Sequence, residues 1–274
     1  MYKIIAIDLD GTLLNKEKKI SDENKAAIKE AQDLGIKVVI ATGRPFKGFF
    51  HLVKELGLEN TDNYIICFNG GLVYHLLTNT VIYSSSITGK ELKKLYKESL
   101  ELNVNIHAFR QNQDLVSPKI SIHTQSEATL NNIEINIQDF NEIKEDELFI
   151  KGMLIDPKEI LDEAISNLNK QWYEDFSVVR STPVYLEFCN KNAQKGVALK
   201  ALADHLNIDI KDTVAFGDAG NDYSMIKMAG LGVVMANGMD FVKEIADEIT
   251  LSNEENGVAY GIRNFVIQKN CKEN

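Results

Sequence analysis

Two acidic motifs hold the residues of this sequence that are best suited to chemistry. Asp8 and Asp10 lie in the segment Asp-Leu-Asp-Gly-Thr, and Asp218 and Asp222 lie in Gly-Asp-Ala-Gly-Asn-Asp. Carboxylates that share one site repel one another unless a cation sits among them, so the two motifs together indicate a metal ion. Hard oxygen ligands select Mg²⁺ or Ca²⁺. Mg²⁺ is favoured because it keeps waters and completes its octahedron with a phosphate oxygen.

A carboxylate beside such a metal is a workable nucleophile for phosphoryl transfer. Asp8 could take the phosphoryl group and form an aspartyl-phosphate, with the backbone N–H groups of the following Gly-Thr pair near the phosphate oxygens. Asp10 could protonate the leaving oxygen and then deprotonate the water that hydrolyses the intermediate. Thr42 and Lys195 could bind the remaining phosphate oxygens, and Lys195 would also offset the charge of Asp8.

The elements that position these residues are predicted to be strands of a parallel sheet. Residues 3–7 form a short Ile-rich run, typical of a strand buried on both faces, and the first acidic motif follows it. Similar apolar runs at 36–41 and 213–217 are followed by Thr42 and Asp218. Ligands of open parallel sheets collect at the carboxyl ends of the strands, so these residues should meet at one edge of the sheet.

Helix signals alternate with these strands. Ser21 is predicted to cap a helix that stops at Gly35, and Pro45 and Gly57 mark the start and end of a second helix. Further along, residues 72–87 have the pattern of a β-hairpin without a crossover helix. The alternation predicts an α/β fold with a Rossmann-like parallel-sheet core.

A second domain is predicted to interrupt this core. The pattern after the hairpin mixes strands and helices, and its first helix opens with a capping box formed by Thr88 and Glu91. The helix–strand alternation of the core returns in the last third of the chain. We therefore predict a catalytic core made of residues 1–84 and 188–274, with an inserted α+β cap domain, the substrate-specificity domain, over residues 85–187.

Five motifs, in this order and spacing, resemble those of the haloacid dehalogenase (HAD) superfamily, and specifically its Cof-type, subfamily IIB, phosphatases. They are DLDGTLL at 8–14, ATGR at 41–44, Lys195-Gly196, GDAGND at 217–222 and SNEENGVA at 252–259. Two departures are small. Ala219 stands where such proteins often carry Gly or Ser, and Asn69-Gly70-Gly71 stands where Asn-Gly-Ala is commoner. Neither departure removes a side chain that the chemistry uses.

The resemblance implies a role for each motif residue. It makes Asp8 the nucleophile and Asp10 the acid and base. The implied Mg²⁺ ligands are the carboxylates of Asp8 and Asp218 and the main-chain carbonyl of Asp10. Asp222 is expected to hold Lys195 or the waters of the metal. The implied phosphate contacts are Thr42, Gly43, Lys195 and Asn221, with Arg44 near the phosphate or the boundary of the cap.

Charge and composition disfavour several classes of partner. The formal net charge is −10 and the pI is near 5.1, which disfavours non-specific binding to nucleic acid or anionic lipid. Cys67, Cys189 and Cys271 show no C-x-x-C spacing, and their odd number argues against a disulfide framework. The sequence has neither a signal-peptide pattern nor an apolar run of about eighteen residues. These observations predict a cytoplasmic protein with no nucleic-acid or membrane partner.

Together these observations predict a Mg²⁺-dependent phosphatase that hydrolyses small phosphorylated metabolites, such as sugar phosphates, through a phosphorylated Asp8. Two alternatives stay open. A phosphotransferase or mutase of the same superfamily would pass the phosphoryl group to a second hydroxyl and yield an isomer instead of inorganic phosphate. A non-catalytic metabolite-binding protein would bind such compounds without turnover. The sequence indicates neither the physiological substrate nor the oligomeric state.

Overall fold

The computed structural model describes residues 1–269, in which the chain forms fifteen β-strands and ten α-helices. The first elements are β1 (Ile4–Ile7), α1 (Asp22–Asp33), β2 (Lys37–Ala41), α2 (Phe46–Glu55), β3 (Tyr64–Cys67), β4 (Leu72–His75) and β5 (Thr80–Ser84). The middle elements are β6 (Ile87–Thr88), α3 (Gly89–Glu101), β7 (Asn105–Arg110), β8 (Leu115–Ser117), α4 (Ile122–Asn131), β9 (Ile135–Ile137), β10 (Leu148–Ile155), α5 (Lys158–Asn167), α6 (Gln171–Asp175), β11 (Ser177–Thr182) and β12 (Tyr185–Cys189). The last elements are α7 (Lys195–His205), β13 (Thr213–Gly217), α8 (Tyr223–Met228), β14 (Leu231–Val234), α9 (Asp240–Lys243), β15 (Glu248–Ile249) and α10 (Gly257–Gly261), which continues as a π-helix (Ile262–Ile267).

These elements form two compact units. The first unit contains residues 1–43, residues 50–83 and the described residues from Gln194 onwards. The second unit contains residues 44–49 and 84–193. Each unit has its own sheet and its own hydrophobic core.

The two units differ from the predicted domain boundaries in two places. Residues 44–49, which the prediction gave to the core, group with the second unit. The predicted boundary after residue 187 lies inside β12, where Phe188 and Cys189 still pair with β10 of the second unit. The junction between the units therefore comes after this strand, between residues 193 and 194.

The first unit is built on an eight-stranded sheet in the order β15-β14-β13-β1-β2-β3-β4-β5. The strands from β15 to β3 in this order are parallel, and β4 is antiparallel to β3. Ile7, the last residue of β1, lies opposite Ile40 of β2 and Phe216 of β13. This register brings the carboxyl ends of the three strands level with one another. The predicted α/β class with a parallel-sheet core is confirmed.

Apolar helices pack against this sheet. All four residues of β1 are fully buried, as its continuous apolar pattern predicted. Ile4 and Ala6 of this strand lie in one cluster with Leu199 and Leu202 of α7. Burial of one such leucine contributes roughly 1.5–3 kcal/mol. These contacts hold α7, whose first residue is Lys195, firmly against the sheet.

Both helix starts predicted from capping residues are confirmed. The Ser21 hydroxyl accepts a hydrogen bond from the backbone N–H of Asn24 at 3.2 Å, and α1 begins directly after Ser21. The Thr88 hydroxyl accepts from the backbone N–H of Glu91 at 3.3 Å, and the Glu91 carboxylate accepts from the Thr88 N–H at 2.6 Å. Such caps satisfy backbone donors that have no partner within the helix.

The second unit is an α+β layer. Its sheet has the order β11-β12-β10-β7-β8-β9, with β6 paired to β10, and only β8 and β9 among these neighbours are parallel. A hydrophobic cluster joins this sheet to its helices through Leu92 of α3, Leu161 of α5 and Phe188 of β12. Trp172 also lies in this cluster.

Two of the three cysteines lie in the described part of the chain. Cys67 and Cys189 are free thiols, and burial raises the pKa of both, which makes them poor nucleophiles. Cys271 lies outside the described residues. Among the helices of residues 1–269, none combines the length and the hydropathy that a membrane span requires.

Candidate active site

A buried lysine joins two of the predicted carboxylates. Lys195 is the first residue of α7, and its side chain is fully buried. Its ammonium group donates hydrogen bonds to Oδ1 of Asp8 at 2.5 Å and to Oδ1 of Asp222 at 2.6 Å. A buried charge is tolerated when it is paired and hydrogen-bonded, as this one is. The contact brings Asp8 together with a residue 187 positions away in the sequence.

The second oxygen of Asp222 is also bound by the protein. Its Oδ2 accepts hydrogen bonds from the backbone N–H groups of Asp218 and Ala219, each at 3.0 Å. Gly217 permits this turn, because a Cβ on Gly217 would lie 2.5 Å from the Cβ of Asp222. With both oxygens in use, Asp222 is suited to orient Lys195 and this turn rather than to bind a metal.

Asp218 lies against the loop that follows Asp8. The Oδ1 atom of Asp218 accepts a hydrogen bond from the hydroxyl of Thr12 at 2.9 Å. The backbone of Gly11 passes so close to this carboxylate that a Cβ would lie 2.4 Å from Oδ2 of Asp218, and its φ of +87° favours glycine. The Gly-Thr pair of the first motif thus allows the two acidic motifs to pack together.

Three carboxylates converge at this edge of the sheet. One oxygen each of Asp8, Asp218 and Asp222 lies within 4.8 Å of the others, and in the described part of the chain no other group of His, Cys, Asp or Glu side chains does this. Burial raises the pKa of Asp8 to about 7; Lys195 opposes this rise, and the two neighbouring carboxylates add to it. Burial also raises the pKa of Asp218 to about 6, against the hydrogen bond from Thr12. The single positive charge of Lys195 does not balance the three carboxylates, so this edge of the sheet has an excess of negative charge.

This excess charge and the free oxygens fit a divalent cation. The described residues donate no hydrogen bond to Oδ2 of Asp8 or to Oδ2 of Asp218, so each carboxylate retains an oxygen for another ligand. Carboxylate oxygens of this kind are the ligands that Mg²⁺ prefers. The donor set thus fits the predicted Mg²⁺, and a cation held here would lower the raised pKa values of Asp8 and Asp218.

The side chain of Asp10 is more exposed than the side chains of the buried cluster. It is 41% exposed, and its Oδ1 accepts a hydrogen bond from the ammonium group of Lys18 at 2.8 Å. A partly exposed carboxyl group two residues after the nucleophile could exchange a proton with a substrate oxygen or with water. Its assignment as acid and base stays a proposal, and Lys18 is a contact that sequence reasoning missed.

The predicted phosphate-binding residues of the first unit lie at the same edge. Thr42 directly follows β2 and is almost fully buried. The carboxamide of Asn221 donates to Oδ1 of Asn69 at 3.0 Å, and Gly43 lies against the same Asn69 carboxamide. Arg44 belongs to residues 44–49, which group with the second unit.

A further hydrogen-bonded link, formed by Asn237 and Asn253, was not predicted. The Asn237 carboxamide donates to the carbonyl of Gly11 at 2.8 Å and accepts from the backbone N–H of Asn253 at 3.0 Å. The Asn253 carboxamide donates to the carbonyl of Leu14 at 2.9 Å. This link fixes the loop that follows Asp8. A signal was present, because Asn253 lies in SNEENGVA and Asn237 follows a strand that ends at the same edge.

Comparisons with known proteins agree with this geometry. A family model described as haloacid dehalogenase-like hydrolase matches residues 5–262. YxeH of Bacillus subtilis is 38% identical over 271 residues, which are 98% of this chain and 100% of that protein. The "5-amino-6-(5-phospho-D-ribitylamino)uracil phosphatase YcsE" of Bacillus subtilis is 34% identical over 265 residues, which are 97% of this chain and 96% of that protein.

A solved structure shows the same likeness in three dimensions. The "HAD subclass IIB sugar phosphatase BT4131" superimposes with a TM-score of 0.74 at 25% identity. The match covers 96% of this chain and 98% of that chain, so it includes both compact units. The resemblance seen in the five motifs therefore extends over nearly the whole fold.

Proposed function

This chain belongs to the haloacid dehalogenase-like hydrolase family, and from that premise we propose that it is a phosphatase that hydrolyses small phosphorylated metabolites through a phosphorylated Asp8, with Mg²⁺ as its cofactor. The observation that carries the proposal is the pair between Asp8 and buried Lys195 at the centre of a three-carboxylate cluster. A nucleophilic carboxylate, a fixed cation beside it and metal ligands around it are the parts that phosphoryl transfer requires.

In the first step, an oxygen of Asp8 attacks phosphorus and the bond from phosphorus to the leaving oxygen breaks. The leaving oxygen keeps the electron pair of that bond and takes a proton from the carboxyl group of Asp10, which releases the alcohol. Lys195, held in place by Asp222, offsets the negative charge beside the nucleophile. The product of this step is an aspartyl-phosphate on Asp8.

In the second step, water hydrolyses this intermediate. The carboxylate of Asp10 takes a proton from the water, and the water oxygen attacks phosphorus. The bond between phosphorus and Asp8 breaks, inorganic phosphate leaves, and both aspartates return to their starting states. The exposure of Asp10 supports this part of the proposal, because its carboxyl group can reach solvent.

Mg²⁺ would be held by the carboxylates of Asp8 and Asp218 and by the main-chain carbonyl of Asp10. When bound, it would neutralise charge and polarise the phosphoryl group. The free Oδ2 atoms of Asp8 and Asp218 and their raised pKa values support this assignment. Thr42, Gly43, Lys195 and Asn221 are proposed to contact the phosphate oxygens.

A phosphorylated polyol is the substrate class that we propose. YcsE is named for a substrate with a phosphoribityl chain, and BT4131 is named a sugar phosphatase. Both names describe a phosphate ester on a polyhydroxylated carbon chain. The cytoplasmic location predicted from the sequence stays a prediction.

The test of the proposed function is phosphate release with Mg²⁺ or with a chelator. The panel contains an aryl phosphate, hexose phosphates, the ribitylaminouracil phosphate and nucleotides. We expect chelator-sensitive release, fastest from the phosphorylated polyols. An isomer without inorganic phosphate would indicate a mutase, and binding without turnover would indicate a non-catalytic protein.

Mg²⁺ should stabilise the protein more at pH 8 than at pH 5. In the metal-free protein the pKa of Asp8 is about 7 and that of Asp218 about 6, both above the usual 3.8. The raised pKa values of these two carboxyl groups therefore stabilise the folded protein fully below the usual pKa. This stabilisation is lost as pH rises through 6 and 7. Mg²⁺ competes with protons for the carboxylates of Asp8 and Asp218, so it should bind more tightly at pH 8, where these groups are ionised. Thermal unfolding with Mg²⁺ or chelator at both pH values measures the effect.

The matched control for this effect is Asp33→Asn, which changes an exposed carboxyl group elsewhere in the first unit. Asp218→Asn should reduce the stabilisation by Mg²⁺ at pH 8, whereas Asp33→Asn should leave it unchanged. Equal stabilisation at both pH values, or none at pH 8, would count against the metal site.

Asn237→Ala should weaken both stability and activity. The change removes the hydrogen bonds to the carbonyl of Gly11 and from the N–H of Asn253, so the free energy of unfolding should fall by about 1–2 kcal/mol. Looser positioning of the loop after Asp8 should lower kcat/KM by about tenfold or more. Asn167→Ala, which alters an exposed helix residue, is the control for both measurements. Unchanged kcat/KM would show that the link has no part in catalysis.

A further inference from the structure

The turn between β3 and β4 has an unusual backbone. Phe68, Asn69 and Gly70 have φ values of +53°, +55° and +94°. Asparagine and glycine enter this left-handed region more readily than other residues, but a bulky residue such as Phe rarely does. Three such residues in succession persist only where surrounding contacts hold them, and such strain is concentrated at functional sites.

The first contact of this turn is with the segment after β2. The backbone N–H of Asn69 donates to the carbonyl of Thr42 at 3.0 Å. The Asn69 carboxamide covers the next residue, since a Cβ on Gly43 would lie 2.9 Å from Oδ1 of Asn69. The turn therefore holds both Thr42 and Gly43, two of the proposed phosphate contacts.

The turn also contacts the other two proposed phosphate-binding positions. The Asn221 carboxamide donates to Oδ1 of Asn69 at 3.0 Å. Gly70 packs against the start of α7, where a Cβ would lie 2.2 Å from the carbonyl oxygen of Gln194 and 2.7 Å from the backbone nitrogen of Lys195. One strained turn thus touches three separate segments that would surround the phosphoryl group.

We propose that Asn69 is a positioning residue for phosphate binding. Its carboxamide joins Asn221 to the Thr42-Gly43 segment, and its left-handed backbone lets Gly70 reach the start of α7. In this role Asn69 touches no reacting atom and acts through Asn221 and Gly43. The inference rests on the proposed function, because it assigns Asn69 to the same phosphate-binding site.

The contribution of the Asn69 side chain can be separated from that of its backbone. Asn69→Gly removes the carboxamide and keeps a residue for which a positive φ is unstrained. Asn207→Gly is the matched control: Asn207 has φ +54°, it follows the end of α7 in the same unit, and no side-chain hydrogen bond is formed by it among the described residues. Asn69→Gly should unfold at a slightly lower temperature than Asn207→Gly, because it also loses the hydrogen bond from Asn221.

The experiment measures kcat and KM with an aryl phosphate, and the binding of inorganic phosphate by calorimetry in the presence of Mg²⁺. We expect Asn69→Gly to weaken phosphate binding and to raise KM by about tenfold, with a smaller change in kcat, whereas Asn207→Gly stays within about twofold of wild type. Because the two side chains share one hydrogen bond, the loss of phosphate affinity in the double variant Asn69→Gly with Asn221→Ala should be smaller than the sum of the two single losses.

Equal phosphate affinity and KM for Asn69→Gly and Asn207→Gly would overturn the inference, and so would losses that add fully in the double variant. Failure of the proposed function gives a different result. If wild type releases no phosphate from any substrate, calorimetry with inorganic phosphate still compares Asn69→Gly with Asn207→Gly. If wild type binds no phosphate either, both proposals fail.

Discussion

Asp8→Asn is expected to abolish phosphate release, with kcat lowered by at least about 10⁴-fold. An asparagine side chain lacks the nucleophilic carboxylate that forms the aspartyl-phosphate, so no residual route through this position remains. The variant should also fail to become labelled when substrate carries a radioactive phosphoryl group. The measurements are phosphate release and trapping of labelled protein in acid.

The same variant should remain folded, and this separates loss of chemistry from loss of structure. Burial raises the pKa of Asp8 to about 7, so its ionised form is disfavoured in the metal-free fold, and a neutral side chain of the same shape avoids that cost above pH 7. Lys195 keeps its hydrogen bond to Asp222. The metal-free variant should thus unfold at pH 8 at a temperature equal to or above that of metal-free wild type.

The control is Asp33→Asn, an exposed position paired with Lys29 on α1. This variant should keep the wild-type kcat. Residual release by Asp8→Asn above about 10⁻⁴ of the wild-type rate, in protein freshly prepared to limit deamidation, would contradict the proposed nucleophile.

The parts of the site that sequence predicted well depend on local patterns and on strand ends. A continuous apolar run identifies β1, and in a parallel sheet the residue after such a run lies at the carboxyl edge. Asp8 and Asp218 therefore came together as expected once β1 and β13 proved to be adjacent. Ser21 was predicted with equal success, because a helix cap depends on three or four neighbouring residues.

The parts that were missed depend on contacts between loops. Asn69, Asn237 and Asn253 act through side-chain hydrogen bonds to backbone or amide groups far away in the sequence. No periodicity or spacing encodes such contacts, because they are set by the conformation of turns, including the left-handed residues beside Asn69. The signals that existed were the place of Asn253 in SNEENGVA and of Asn69 in Asn69-Gly70-Gly71, together with asparagine after a strand end, which is common in ordinary turns as well.

The compact units differ from the predicted domain boundaries for a related reason. Residues 44–49 begin with the last residue of the ATGR motif, and the start of a helix there suggested the core. Their grouping with the second unit is a matter of tertiary packing. At the other junction, β12 spans the predicted boundary, and a strand of the second sheet looks the same in sequence as a strand of the first. Local pattern therefore identified the element but not the sheet to which it belongs.

Lys195→Met is expected to reduce both stability and activity severely. Methionine approximates the length of lysine, but it leaves Asp8 and Asp222 buried without their shared cation. Breaking a buried ion pair by removing one partner costs about 3–5 kcal/mol, a large part of the about 5–15 kcal/mol that stabilises a typical domain. Loss of the charge beside the nucleophile should lower kcat by about 10³-fold or more. Lys200→Met, an exposed change on the same helix, is the control and should alter neither.

The stability loss in Lys195→Met should depend on pH in a defined direction. Lys195 lowers the pKa of Asp8, so its removal raises that pKa further above the usual 3.8. A carboxyl group whose pKa is raised by folding stabilises the folded state at low pH and loses that contribution as pH rises through the raised value. The deficit relative to wild type should therefore be largest near pH 8 and smallest near pH 5, as measured by denaturant unfolding of the metal-free proteins.

A second variant keeps this prediction testable if Lys195→Met does not fold at neutral pH. Adding Asp222→Asn removes one of the two unpaired carboxylates and keeps an oxygen that can accept from the backbone N–H groups of Asp218 and Ala219. The double variant should recover much of the stability at pH 8 but none of the activity, because the cation beside the nucleophile is still missing. Recovery of activity together with stability would show that Lys195 supports only the fold, and a deficit that does not vary with pH would show that burial of charge is not its cause.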